Sequence, residues 1–178
     1  STAVGLNDHG VAIGYDSATS AGGRADERAV LWEDGTIMPL PLPPNAIGSR
    51  GQDINNRGQA VLTVYHSNSG CGVGAVPQFN GYLWQQGRLN PLPLLPFGQD
   101  DCDLGAHGAD INDHGQIVGT TMHRTSWDER VFRATLWRGG RVFDLNQLLV
   151  DDNGAPVTSL RLRRALAIND KGQILVEE

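Results

Sequence analysis

Several residue types are scarce in this 178-residue chain, and each scarcity excludes a class of protein. Lysine occurs once, as Lys171, among 14 lysine and arginine residues, and 20 acidic residues leave a net charge of −6. The chain therefore lacks the basic stripe that is typical of nucleic-acid-binding proteins. No apolar run approaches the roughly 18 residues of a membrane span, and no run of like charge or low-complexity tail indicates disorder.

Glycine is abundant, with 23 residues, about 13% of the chain against a typical ~7%. Glycine and the 9 prolines are spread along the chain, which suits many short strands joined by tight turns. The N-terminal Ser-Thr-Ala has no charged and apolar signal character, so we expect any leader to have been removed or not included.

Two motifs alternate along the chain. The first reads [Leu/Ile]-Asn-[Asp/Asn]-x-Gly, and its anchor asparagines are Asn7, Asn55, Asn112 and Asn169. The second reads Leu-Trp-x-x-Gly, and its tryptophans are Trp32, Trp84 and Trp137. Successive anchors are 48, 57 and 57 residues apart. Periods of this size indicate a propeller, a solenoid or another repeat array.

Each motif predicts a β-hairpin, because glycine provides the positive φ that a short turn between apolar strands requires. One repeat is then a meander of four antiparallel strands, which is the unit of a β-propeller blade. Small residues four positions before each anchor suit a crowded inner strand, and Pro39 and Pro91 suit an outer edge strand. We predict an all-β, propeller-like array with blades at 1–48, 49–106 and 107–163 and a first hairpin of a fourth blade at 164–178.

The alternation of Ile-Asn-Asp-x-Gly-Gln-Ile-Val-Gly with Arg-Ala-x-Leu-Trp-x-x-Gly resembles the bacterial extracellular HAF repeat. Residues 111–119 and 133–140 are the closest match, and the resemblance covers nearly the whole chain. Repeats one and two depart from the family pattern, with Pro-Leu-Pro at 39–41 and 91–93 where the family tends to have Asp-Leu-Gly. The resemblance implies a secreted or cell-surface location and a propeller-like fold, and it assigns no catalytic residue.

The long, dissimilar segments all fall on one face of such a meander, and binding residues favour variable loops on a rigid scaffold. His66 and His123 each lie eleven residues after an anchor, with aspartates between them in the following crossover. These side chains either converge as an acidic or metal-binding pocket or are ordinary loop residues. Trp127 lies among charged residues and either stacks on a ligand or packs on the blade edge. The predicted ligand-binding residues are His66, His123, Arg124, Trp127, Asp128, Arg130, Asp101 and Asp103.

Cys71 and Cys102 belong to the same repeat, and in a secreted chain they predict a disulfide that closes a loop of about 30 residues. Two free thiols are the alternative. Neither cysteine has the paired spacing of a zinc site, and the Asp-x-Asn-x-x-Gly segments lack the later ligands of a calcium loop. Asp53 and Asp110 are instead expected to bond to the backbone. We expect no metal, cofactor or catalytic residue.

Three functions are compatible with these features. The first is a secreted or cell-surface module that binds a glycan or a protein through its loop face. The second is a structural subunit of an extracellular fibre or surface assembly, formed by strand-edge or head-to-tail association. The third, a propeller hydrolase or lyase, requires an axial pocket with paired carboxylates or a metal. Three and a half blades are too few to close a ring, so we expect the chain not to be a self-sufficient closed monomer.

Overall fold

A computed structural model describes residues 1–19, 25–66, 78–96, 102–124 and 129–178. Across these ranges the chain is built of β-strands, with a short 3-10 turn at Leu145–Gln147. The all-β class is confirmed. The strands are β1 Thr2–Leu6, β2 Ala12–Thr19, β3 Ala25–Glu33, β4 Thr36–Pro39, β5 Ala46–Ile54, β6 Ala60–His66, β7 Gln78–Gln85, β8 Arg88–Pro91, β9 Cys102–Ile111, β10 Ile117–Arg124, β11 Arg130–Arg138, β12 Arg141–Asp144, β13 Arg164–Ile168 and β14 Ile174–Glu177.

Antiparallel pairing organises the strands into meanders. Strands β1–β4, β5–β8 and β9–β12 each pair in sequential order, and we call these units repeats 1, 2 and 3. The β13–β14 hairpin is repeat 4. A parallel pairing of Phe79 in β7 with Gly105 in β9 joins repeats 2 and 3 into one eight-stranded sheet. The antiparallel meanders are therefore observed, whereas their arrangement as blades of a propeller stays a prediction.

The strands are longer than the sequence patterns predict. The expected blade boundaries at 48/49 and 106/107 fall inside β5 and β9, and Cys102 and Asp103 lie in β9 instead of in a crossover loop. The first half of β9 pairs with the last residues of β10. Its glycine and aspartate carry little strand propensity, so pairing with the neighbouring strand, not local preference, makes this segment extended.

Three apolar cores lie between successive repeats. Ile13 of repeat 1 packs with Ile54 and Leu62 of repeat 2, and Val61 packs with Ile111 of repeat 3. Val118 packs likewise with Ile168 of repeat 4. Trp84 packs against the first of these cores, and Trp137 is part of the second. A motif tryptophan thus contributes to each of the first two junctions, whereas none of the described residues of the third core is a tryptophan.

Close approach of the repeats explains the small residues before the anchors. A Cβ atom on Gly51 would come within 2.3 Å of Ile13 Cγ1, and one on Gly108 within 2.4 Å of Val61 Cγ1. Such distances are far shorter than any van der Waals contact. The first strands of repeats 2 and 3 therefore leave room for an apolar side chain of the repeat before them.

The anchor asparagines connect the repeats through a ladder of hydrogen bonds. Nδ2 of Asn7, Asn55 and Asn112 donates to the carbonyl oxygen of the next anchor at 3.1, 2.9 and 3.1 Å. The Oδ1 atom of each anchor accepts backbone N–H groups of its own turn, as at Arg57 and Gln59. The motif thus both closes a turn and joins neighbouring repeats.

No helix in the described ranges is long and apolar enough to cross a membrane.

Candidate functional site

A cavity of about 440 Å³ opens where repeats 2, 3 and 4 meet. Its walls come from β6, β7, β9, β10, β11 and β13, near the strand ends that lead into segments 66–80 and 123–131. The aromatic side chains in the wall are Tyr65, Phe79 and Phe132. The polar groups are Thr63, His107, Thr120 and Arg164. The volume lies within the range of small-molecule sites, and the mixture of rings and a few polar groups is typical of them.

Equivalent positions of the first junction, between repeats 1 and 2, are filled differently. Arg50, five residues before its anchor, forms a two-pronged ion pair with Glu27 and lies 4.8 Å from the ring centroid of Tyr15. These three side chains occupy the junction with their own contacts. No separate ligand is needed to satisfy the Arg50 guanidinium.

Both later junctions replace the tyrosine and the glutamate, and the arginine is replaced by histidine at the second junction but kept at the third. His107 and Arg164 stand at the position of Arg50, five residues before their anchors, and Phe79 and Phe132 stand at the position of Glu27, four before the motif leucine. Thr63 and Thr120 stand at the position of Tyr15, eight after the anchor. A threonine leaves empty the space that a tyrosine ring fills. The cavity is therefore the unfilled counterpart of the first junction.

Burial determines the charge state of the cavity. It lowers the pKa of His107, with a further contribution from the positive charge of Arg164, so the imidazole is neutral at neutral pH. Burial also raises the pKa of Tyr65, which keeps the phenol protonated. Both rings then offer one donor and one acceptor, and the threonine hydroxyls can do the same.

Arg164 provides a positive charge at the mouth of the cavity. Its guanidinium lies 5.8 Å from the ring centroid of Phe132, and Nη1 is 3.5 Å from Oε2 of Glu177. Both charged side chains are about half exposed, so the ion pair is weak and can yield to a ligand. The arrangement can hold a polar molecule whose apolar faces lie against the aromatic rings.

The two predicted histidines occupy equivalent places but do not form this cavity. His66 ends β6, and His123 lies one residue before the end of β10. His123 is buried, and neither histidine is among the described residues that line the cavity. The expectation of a shared pocket at these two residues stays untested because the adjoining loop segments lie outside the described ranges.

Three further predicted residues lie in strands instead of loops. Asp103 is in β9, Arg124 ends β10 and Arg130 begins β11, where its side chain is exposed. The β10–β11 ladder reaches the pair Arg124–Arg130, and continued backbone pairing explains why the connecting loop is shorter than predicted.

The remaining predicted residues, or their side chains, lie outside the ranges that the structure describes. These are Cys71, Asp101, Trp127 and Asp128, together with the side chains of Cys102, Asp103 and Arg124. The disulfide and the ligand-binding role of Trp127 therefore stay predictions. In the part of the chain that the structure describes, no three His, Cys, Asp or Glu side chains form a group that could hold a metal ion.

Sequence reasoning missed the residues that form the cavity. His107 and Arg164 each lie five residues before an anchor, and a column-by-column alignment of the repeats places them beside Arg50. The signal was therefore a change of residue type at equivalent repeat positions, to histidine at His107 and, around the retained Arg164, from tyrosine and glutamate to threonine and phenylalanine. The prediction of His66 and Trp127 rested on long, dissimilar loops, and the length of a loop gives no information on residue types within the strands.

Asp53 and Asp110 form a carboxyl pair on the first strands of repeats 2 and 3, near the asparagine turns. Oδ2 of Asp53 accepts from the backbone N–H of Ile111 at 3.1 Å, and Oδ2 of Asp110 accepts from that of Ile168 at 2.7 Å. Both aspartates thus bond to the backbone of the next repeat, as expected. Burial and a hydrogen bond with Asp110 raise the pKa of Asp53 to about 7.

The Asp53 carboxyl predicts a pH-dependent stability. Its pKa is higher in the folded than in the unfolded chain, so its contribution is present at acid pH and is lost as the pH rises through about 7. We expect Asp53→Asn, whose amide oxygen still accepts from Ile111, to remove this loss. Urea unfolding of both proteins between about pH 5 and about pH 8 measures it, and the difference between the two curves isolates Asp53 from His107. Parallel curves would contradict the assignment.

Comparison with known protein families, curated proteins and solved structures found no match for the chain.

Proposed function

We propose that this chain is a carbohydrate-binding module of the cell surface or the secreted fraction, with its binding site in the cavity between repeats 2, 3 and 4. The observation that carries the proposal is the lining of that cavity, which combines aromatic walls with neutral hydrogen-bonding groups. Aromatic rings contact the apolar faces of a sugar ring, and the imidazole and hydroxyl groups bond to its hydroxyls.

The size and concave shape of the cavity favour a small glycan unit over a protein partner. Protein interfaces are broad, and a stable one buries about 800 Å² of each partner. The cavity is instead concave and of the size of a small-molecule site. Arg164 at the mouth favours sugars that carry a carboxylate, because a guanidinium binds carboxylates through two parallel hydrogen bonds.

The wider setting of the proposal rests on the repeat pattern. Four-stranded meanders in series support a propeller-like array of three and a half units, and the resemblance to HAF repeats supports an extracellular location in bacteria. Neither motif brings a nucleophile or a paired acid and base to the cavity, so we propose binding without turnover.

The substitution Thr120→Tyr tests the site by filling it. Tyr15 occupies the equivalent position in repeat 1 and stacks on Arg50, so a tyrosine at 120 can stack on Arg164 without disturbing the fold. We expect affinity for the best-bound sugar to fall at least about tenfold, with an unchanged or higher melting temperature. Calorimetric titration with a panel of neutral and uronic oligosaccharides measures the effect.

A matched control is Thr158→Tyr, which adds the same ring at an exposed position away from the cavity. It should bind as the unsubstituted protein does. Equal affinity of the Thr120→Tyr protein would place binding elsewhere. If no sugar of the panel binds at millimolar concentration, the carbohydrate proposal is wrong.

A further inference from the structure

The first junction between repeats shows how the chain satisfies an arginine at the position of Arg50. Glu27 supplies a carboxylate, to which the guanidinium donates two hydrogen bonds, and Tyr15 supplies a six-membered ring whose centroid lies 4.8 Å from that guanidinium. Both groups come from repeat 1, which precedes the arginine. One arginine is therefore matched by a carboxylate and a ring held side by side.

The third junction keeps the arginine and lacks both of its partners. Phe132 stands at the glutamate position and Thr120 at the tyrosine position, and both line the cavity together with Arg164. Glu177 reaches Arg164 only through a half-exposed contact of 3.5 Å. The groups that are missing around Arg164 are thus a carboxylate and a ring. A uronic acid carries both in one unit, because it is a sugar ring with a carboxylate attached.

The charges around this part of the cavity favour an anion. The guanidiniums of Arg163 and Arg164 lie 5.3 and 5.8 Å from the ring centroid of Phe132, and both side chains are exposed. No aspartate or glutamate is among the described residues that line the cavity, although the whole chain has a net charge of −6. Two like charges beside one ring repel each other, and a carboxylate bound beside them offsets that repulsion.

The second junction lines the other part of the cavity and carries no charge. His107 stands there at the arginine position, and Phe79 and Thr63 stand at the other two positions. Because burial lowers the pKa of His107, its imidazole is neutral and bonds to hydroxyl groups instead of attracting a carboxylate. The hydroxyl oxygen of Thr63 accepts from Nε2 of Gln52 at 3.3 Å, which leaves its proton for a ligand. These groups suit an uncharged sugar unit.

The two parts of the cavity are contiguous. His107 of the second junction and Thr120 of the third are directly opposite in the β9–β10 pair, so their side chains are neighbours on one face of the sheet. We propose that the cavity has two adjoining subsites, with a uronic acid unit at Arg164 and an uncharged sugar unit at His107, and that it selects glycans in which the two alternate. The proposal rests on the carbohydrate-binding function proposed above and names the class of glycan.

Calorimetric titration of the whole chain at neutral pH tests the subsite for the acid. The probes are alternating tetrasaccharides, one of glucuronic acid and N-acetylglucosamine and one of galacturonic acid and rhamnose. Each is compared with its carboxyl-reduced form, in which a hydroxymethyl group replaces the carboxylate. We expect the reduced form of the better-bound tetrasaccharide to bind at least about tenfold more weakly, because it cannot form the paired hydrogen bonds to a guanidinium.

A substitution at Arg164 assigns this preference to one side chain. Arg164→Gln should bring the affinities for the acid and its reduced form within about twofold of each other, and the exposed position should keep the fold intact. Arg138→Gln is the matched control, because Arg138 is also exposed and lies 5.1 Å from the ring centroid of Phe143, but is not among the described residues of the cavity. It should keep the full preference for the acid.

A substitution at His107 tests the uncharged subsite. His107→Arg places a cation there, and arginine stands at the same position in both other junctions, so the fold should tolerate it. We expect the affinity for tetragalacturonate, whose uronic acids are consecutive, to rise at least about tenfold. The unsubstituted protein should bind tetragalacturonate more weakly than the better-bound alternating tetrasaccharide, which tests the same subsite without a substitution. Circular dichroism confirms that each variant is folded.

The outcomes separate this proposal from the function on which it rests. If no sugar binds, the carbohydrate-binding function is wrong. If sugars bind but the acid and its reduced form bind equally, or Arg164→Gln keeps the preference, the uronic acid subsite is wrong and the binding function stands. If tetragalacturonate binds the unsubstituted protein as well as the alternating tetrasaccharides do, the uncharged subsite at His107 is wrong.

Discussion

Replacing Gly105 with alanine is expected to destabilise the protein by about 3–5 kcal/mol. Gly105 has a φ of +130°, which side-chain-bearing residues rarely adopt, and a Cβ atom there would lie 1.5 Å from the carbonyl oxygen of Phe79. The clash is with backbone, so no side-chain rotation relieves it. Strand β9 would have to separate from β7, and the parallel pairing that joins repeats 2 and 3 would be lost.

Urea unfolding followed by tryptophan fluorescence measures this change. Gly139→Ala is the matched control, because Gly139 also has a positive φ, +56°, but no atom lies within 4 Å of the position that a Cβ would take. It should cost only about 1 kcal/mol, the conformational penalty alone. Equal effects of the two substitutions would mean that the Phe79–Gly105 approach does not hold the repeats together.

The hairpins were predictable because local chemistry determines them. A turn that begins with asparagine and ends with a glycine at positive φ is specified within five residues, and Gly58 adopts a φ of +68° as such a turn requires. Proline was likewise informative, because it is confined to edge strands. Pro39 is the last residue of β4, and Pro91 is the last residue of β8. These signals depend on neighbours in sequence and repeat with the motif.

Features that depend on contacts between repeats were not predictable in the same way. The sequence shows that Asn55 starts a turn, but not that its amide reaches the carbonyl of Asn112 in the next repeat. It does not indicate that β7 pairs with β9, because both strands lie near segments of low strand propensity. Long-range pairing is decided by packing of whole repeats.

The cavity illustrates the same limit at the level of side chains. It exists because Thr120 replaces the tyrosine that fills the first junction, and Phe132 replaces the partner of an arginine. Neither residue belongs to a motif, and neither is unusual in a strand. Their effect on the cavity can be recognised only when equivalent positions of the repeats are superposed and the neighbours of each residue are known.

Substitution of Asn55 by alanine is expected to cost about 3–4 kcal/mol of stability. The side chain is buried and takes part in four hydrogen bonds. Oδ1 accepts from the N–H groups of Arg57 and Gln59, and Nδ2 donates to Gln59 Oε1 and to the Asn112 carbonyl. Alanine would leave the N–H groups of Arg57 and buried Gln59 without their side-chain acceptor and would remove the bond to repeat 3. Denaturant unfolding and the protection of repeat 2 amides from exchange measure the loss.

Asn169→Ala is the matched control for the ladder. Asn169 makes the same bonds within its turn, to the N–H groups of Lys171 and Gln173 and to Gln173 Oε1, but it is exposed and donates to no following repeat. Water can replace those bonds, so we expect a cost below about 1 kcal/mol, read from amide exchange in the β13–β14 hairpin. Since the two turns are otherwise alike, the difference measures burial and the bond between repeats.

A second substitution separates donor from acceptor at the same position. Asn55→Asp keeps an oxygen for the two turn N–H groups but replaces the amide donor with a carboxylate that faces the Asn112 carbonyl. We expect it to be as destabilising as alanine at neutral pH and to recover part of the loss in acid, when the protonated carboxyl can donate again. A neutral-pH stability equal to that of the unsubstituted protein would mean that the turn alone, and not the ladder, requires asparagine.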